Sequence, residues 1–128
     1  MKKPRVYIDS DVIIFSLMSK TGAASFIFNL KNIDLLASNY SKNETKVVAE
    51  RLGLKIVSLG DSLEKIKEEF SDYVIDENDA HIATGAVKVK AQFLISYNLR
   101  HFKAGNIKTD FDILLMTPAM FLQYLRSR

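Results

Sequence analysis

Short apolar segments that alternate with amphipathic stretches constrain this chain more than any other feature. Residues 6–8, 33–37, 55–59, 93–96 and 113–116 read as strands. Three or more of these runs are continuously apolar rather than alternating. A strand apolar on both faces is buried on both, as in a parallel sheet covered by helices on each side. The stretches between them have helical spacing. Residues 12–19 and 23–30 read as two helices, and residues 42–52 carry Val47, Val48 and Leu52 on one stripe. Residues 63–70 place Leu63, Ile66 and Phe70 inward and Lys65, Lys67, Glu68 and Glu69 outward. Residues 78–89 gather Ile82, Ala83, Ala86 and Val87 on one face. Thr117-Pro118 is a helix start, Thr at the cap and Pro in the first turn, opening residues 119–126. This order predicts right-handed βαβ units and a three-layer α/β sandwich. In such sheets, sites form beyond the carboxyl ends of the strands.

The chain has 128 residues, expected to form a single domain, 1–128, with no linker or repeat. Hydrophobic residues are 48% and charged residues 26%, values of a globular protein rather than a disordered one. Eighteen Lys and Arg against fifteen Asp and Glu give a net charge of +3, which permits an anionic partner without demanding one. Cysteine is absent, which excludes disulfides, thiol catalysis and cysteine-held metals. Residues 12–19 are the longest strongly apolar run of the first third, well short of the roughly 20 needed to span a bilayer. Lys2, Lys3 and Arg5 are followed by Asp9 and Asp11, so no secretory signal is expected and the expected location is the cytoplasm. The glycines are scattered, the nearest pair being Gly53 and Gly60, so phosphate-cradling loops are missing. No nucleophile elbow occurs.

Acids mark the edges of the apolar elements. Asp9 directly follows Val6-Tyr7-Ile8, at the expected active edge, where capping does not explain it. Asp11, two residues on, reads as a cap of the next helix, as does Ser10. Glu44 has two readings. Ser41-Lys42-Asn43-Glu44 fits a capping box, yet Glu44 also leads the apolar stripe of Val47 and Val48. Asp79 stands in the first turn of a helix on the face of Ile82, Ala83 and Ala86, where the helix dipole is an alternative reason for it. Asn98 and Ser96 lie at the end of the strand 93–96, where turn chemistry competes with a polar site. If Asp9, Glu44 and Asp79 converge, their mutual repulsion needs a cation, and an all-oxygen set suits Mg²⁺ or Mn²⁺.

With these residues in place the chain resembles the PIN-domain ribonucleases along nearly its whole length. "VYIDSDVII" is similar to the family's opening strand and Asp, and "SNYSKNE" to the segment with its Glu. "ENDAHIATGAV" resembles the D-x-x-I-A-x-x-A helix, and "LISYNLRHF" the late strand with its polar pair. The resemblance implies a PIN-like parallel sheet of about five strands in the order 3-2-1-4-5. It carries over Asp9, Glu44 and Asp79 as metal-binding acids, with Asn98 where members have Asp or Asn and Ser96 where Thr or Ser is usual. It implies Mg²⁺- or Mn²⁺-dependent cleavage of single-stranded RNA. Small members of this kind are toxins of toxin–antitoxin pairs, homodimeric and silenced by an antitoxin.

On that reading Asp9, Glu44, Asp79 and Asn98 hold one or two ions, which activate a water for attack on the phosphodiester. Ser96 and Asp11 support them. Arg100, His101 and Lys103 are candidate phosphate contacts, as are Lys42 and Lys46, for which a solvated helix face is the plainer account. His101 as a general base has less support, and His81 reads as a surface or interface residue. Tyr7, Phe15, Phe26 and Phe28 read as core or interface. The alternative is a catalytically silent PIN domain that binds RNA or protein. A phosphoacceptor receiver ranks last: Asp61 is its only candidate aspartate, and "LISYN" lacks the lysine it requires.

Overall fold

The computed structural model describes residues 3–38 and 53–127. The predicted helix 42–52, and with it Glu44, Lys42 and Lys46, lies outside them. The described elements are β1 (Arg5–Ile8), α1 (Ser10–Met18), α2 (Ala23–Phe28), β2 (Asp34–Ser38), β3 (Lys55–Val57), α3 (Leu63–Phe70), α4 (Ala80–Lys88), β4 (Phe93–Ile95), α5 (Ala104–Phe111), β5 (Leu114–Met116) and α6 (Pro118–Arg126). Short 3-10 turns occupy Ser71–Tyr73, Glu77–Asp79 and Leu99–His101.

The strands form one five-stranded sheet in the order β3-β2-β1-β4-β5. All pairs are parallel, with Tyr7 opposite Leu36 on one side and Leu94 on the other. The architecture is the expected α/β sandwich, in the expected strand order.

Burial explains the unbroken apolar strands. Val6 and Ile8 point to one face, where they pack with Val12 and Ile13 of α1, Ile27 of α2 and Phe121 of α6. Tyr7 points to the other, against Ile66 of α3, Ala83 and Ala86 of α4 and Ile107 of α5. Each strand therefore feeds two cores, and alternation would bury polar groups in one of them. Tyr7 packs so closely on α4 that Gly85 has no room for a side chain. A methyl there would overlap the phenol and come within 2.9 Å of Tyr7 Cε2.

Thr117 caps α6 as expected, its hydroxyl accepting from the Met120 N–H at 3.2 Å. Helix α5 was not anticipated. Ile107 is its one buried residue, and Gly105, Asn106, Thr109 and Asp110 are weak helix formers, so its pattern carries little periodic signal. The stretch 78–89 begins as a 3-10 turn rather than a regular helix. Among the described residues no helix is long and apolar enough to cross a membrane.

Candidate metal-binding carboxylate site

Asp9 sits where β1 gives way to α1. Its backbone is extended, φ −71° and ψ 149°, and its N–H donates to the Ile95 carbonyl at 3.0 Å, extending the β1–β4 pairing by one step. Its side chain makes no cap bond to α1 and is buried, 7% exposed. Ser96, fully buried at the end of β4, donates its hydroxyl to Asp9 Oδ2 at 2.8 Å. The Asn98 N–H in turn donates to Ser96 Oγ at 3.0 Å. Adjacent parallel strands thus bring together two residues far apart in sequence.

Asp11 does not cap α1. The first turn of the helix carries its carboxylate across to the loop after β4, where Oδ2 accepts from the Tyr97 N–H at 3.1 Å and from Asn98 Nδ2 at 2.9 Å. Ser10 is not the cap either; its hydroxyl is 3.5 Å from Asp9 Oδ1, and Asp9 occupies the cap position. The Asn98 side chain therefore braces Asp11. Nothing in the sequence singled out Tyr97, because its contribution is a backbone N–H; its ring packs on Phe15 with centroids 4.6 Å apart.

Asp79 ends the 3-10 turn and begins α4, without a side-chain cap bond. Its Oδ2 lies 3.4 Å from His101 Nδ1. His101 belongs to the turn after β4 and is half exposed. Arg100 and Lys103 beside it are exposed and make no ion pair among the described residues. His81 is half-buried rather than a surface group, and burial lowers its imidazole pKa.

The electrostatics are those of crowded acids. Burial pushes the Asp9 carboxyl up to about 6, and the nearby Asp11 and Asp79 add to it, against the lowering effect of the Ser96 hydrogen bond. Burial also raises Asp11, opposed by the Tyr97 N–H, and raises Asp79, opposed by His101. Asp11 Oδ1 is buried and has no hydrogen-bond partner among the described residues.

The donor chemistry fits a hard divalent cation: oxygen ligands, one of them an orphaned buried oxygen, with like charges that a cation would relieve. Among the described residues, however, no three His, Asp or Glu side chains are gathered closely enough to hold an ion by themselves. Glu44, the remaining expected ligand, is outside them. The structure thus brings together Asp9, Asp11, Ser96 and Asn98, with Asp79 and His101 as a neighbouring pair.

No protein-family model and no curated protein sequence matches the chain. Solved structures do. A chain of VapBC2 from Rickettsia felis, solved bound to a DNA fragment from its promoter, is similar at a TM-score of 0.58 and 14% identity. The match covers 88% of this chain and 98% of that one. A chain of DNA-bound VapBC from Salmonella typhimurium is similar at a TM-score of 0.57 and 14% identity, over 90% and 98% of the two chains. The fold of this chain is the PIN-like fold that its sequence resemblance implies.

Proposed function

We propose that this protein is a metal-dependent ribonuclease of the PIN type that hydrolyses phosphodiester bonds of single-stranded RNA, and that it is the toxin of a toxin–antitoxin pair. The observation that carries this reading is the buried Asp9 at the carboxyl end of β1, its carboxyl pushed up to about 6 by burial and by Asp11 and Asp79. Burial and neighbouring like charge make an ionised carboxylate expensive, and a cation that joins it relieves the cost. The likeness in fold to chains of two VapBC assemblies supports the toxin reading and a protein partner.

Asp9 and Asp79 would hold the ion, with Asp11 beside them and Glu44 as the ligand implied by the family resemblance. A bound Mg²⁺ or Mn²⁺ supplies a nucleophilic water and charge neutralisation at the phosphoryl oxygens. The chain's own residues prepare that site. Ser96 fixes the Asp9 carboxylate through Oδ2, while Oδ1 has the Ser10 hydroxyl 3.5 Å away. Tyr97 and Asn98 hold Asp11 through Oδ2 and leave its Oδ1 open. Arg100 and Lys103 offer positive charge to the RNA backbone along the same edge, and His101 beside them is a further candidate phosphate contact.

The partner would be an antitoxin, and the working form a homodimer in the cytoplasm. Ile14, Phe15, Leu17 and Met18 of α1 and Phe26 of α2 are exposed, a surface suited to a protein contact. A silent RNA- or protein-binding domain is the second reading. It is favoured by the lack of a three-ligand set among the described residues and by the use of Asn98 on Asp11.

The test is cleavage of labelled single-stranded RNA with Mn²⁺, with and without EDTA, by the wild-type chain and by Asp9→Asn and Asp79→Asn. Metal-dependent cleavage lost in both variants is the expected result. Cleavage that survives both substitutions overturns the mechanism. Titration calorimetry with Mn²⁺ separates the silent reading, for which no cation binds.

A further inference from the structure

The sheet has a second polar edge, at the amino ends of its strands, opposite the carboxylates. Arg5 opens β1, Asp34 opens β2 and Gln92 directly precedes β4. Together with Lys3 and Lys90 they line a pocket of about 580 Å³. Lys3, Arg5 and Lys90 make no ion pair among the described residues, while Asp34 already faces Lys55, with Nζ 3.7 Å from its Oδ1. Arg5 is braced, with Nη1 donating to the Val89 carbonyl at 2.7 Å, its one side-chain hydrogen bond among the described residues. Three cations and one carboxylate therefore line the pocket, and the charge of its lining is net positive.

Lys90 supplies a second, independent observation. It follows the end of α4 with φ +55°, in the left-handed region. Its N–H donates to the Val87 carbonyl at 3.0 Å and that of Ala91 to Ala86 at 2.9 Å, the reversal that closes a helix. Glycine is the usual residue there because a side chain is strained. Asp112 closes α5 in the same conformation with φ +56°, and at Lys90 the residue so placed adds a cation to the pocket lining.

We infer that this pocket is a second phosphate-binding site, which holds the backbone of the RNA at a phosphodiester remote from the one cut. At about 3.3 Å per residue along β1, Arg5 and Asp9 lie roughly 13 Å apart, so one phosphate cannot occupy both ends. Lys3, Arg5 and Lys90 act as point charges for any phosphate, without reading the base. The identity of the ligand rests on the ribonuclease reading above.

The experiment measures binding of a long single-stranded RNA by fluorescence anisotropy in EDTA over a series of salt concentrations. The chains compared are the wild type, Lys90→Gly and Lys3→Glu. Lys90→Gly removes the charge while relieving the backbone, so it is expected to melt at the same or a higher temperature. It should nevertheless reduce the slope of log affinity against log salt by about 0.7, the value for one phosphate contact on a single strand. Lys3→Glu should weaken RNA binding, most strongly at low salt where the charges are least screened. An unchanged slope and affinity in Lys90→Gly overturns the inference. A loss for duplex DNA with none for RNA also overturns it. Metal-dependent cleavage of a dinucleotide reports the catalytic reading separately. If cleavage fails while the salt slope still falls, the pocket stands and the nuclease does not. If cleavage holds and the slope is unmoved, the reverse is true.

Discussion

The Ser96 hydroxyl donates to Asp9 Oδ2 at 2.8 Å across 87 residues of sequence, and both side chains are buried. It stabilises the ionised carboxylate in a place where burial and two other acids oppose ionisation. Ser96→Ala removes that help, so the Asp9 carboxyl should rise above about 6. The acid limb of metal-dependent cleavage should move to higher pH, and Ser96→Thr, which keeps the hydroxyl, should restore it. A pH–rate profile with the same acid limb in all three chains counts against the hydrogen bond as a tuning device.

Asp9 also predicts how stability depends on pH. Its carboxyl is raised from the usual 3.8 to about 6 in the folded chain, so between these values the native state binds more protons than the unfolded one. The contribution of Asp9 to stability is therefore greatest below pH 3.8, declines as pH rises and is lost above about pH 6. The difference between the two values corresponds to roughly 3 kcal/mol. Asp9→Asn should leave stability unchanged near the low end of this window and raise the melting temperature at neutral pH. Thermal melts of both chains across the window check this. Mg²⁺ or Mn²⁺ should narrow the gap at neutral pH by stabilising the wild type alone.

Asn98 is bound to Asp11 as a donor, Nδ2 to Oδ2 at 2.9 Å. Asn98→Asp exchanges that donor for a second carboxylate beside an acid whose pKa burial has already raised. Without metal, the variant should lose about 1–3 kcal/mol, the range for a charge-assisted hydrogen bond replaced by a repulsion. With Mn²⁺ the loss should shrink, because the added oxygen is a ligand. Denaturant melts with and without the ion read both arms, and a loss that is indifferent to metal argues against a cation at Asp11.

Gly85→Ala should run against ordinary helix propensity. In an open helix the change gains up to about 1 kcal/mol. Here the new methyl overlaps the Tyr7 phenol in the core between α4 and β1. Overpacking of this kind costs about 1–3 kcal/mol, so the chain should be less stable. The double variant with Tyr7→Leu should recover part of the loss, and equilibrium unfolding distinguishes the two signs.

Much of the fold was legible because burial leaves a local pattern. Val6-Tyr7-Ile8 and Phe93-Leu94-Ile95 are apolar at every position since each has a core on both faces. The spacing of Ile82, Ala83 and Ala86 marked the helix that faces Tyr7. Thr117-Pro118 marked a cap that is present. Helix α5 was illegible because packing on one residue, Ile107, leaves no periodic stripe.

The candidate site divides along the same line. The sequence by itself determined that Asp9 ends a buried strand and that Asp79 opens a helix over the same sheet, because both follow from position within a local element. Only the tertiary structure decided where the side chains go. Asp11, which reads locally as a helix cap, instead accepts from Tyr97 and Asn98, and Asn98 is a brace for that acid. The reason is physical. Propensity and periodicity describe neighbours within a turn or a strand, whereas the partners of Asp9 and Asp11 are chosen by the parallel pairing of β1 with β4, which sets the end of one strand beside the end of the other.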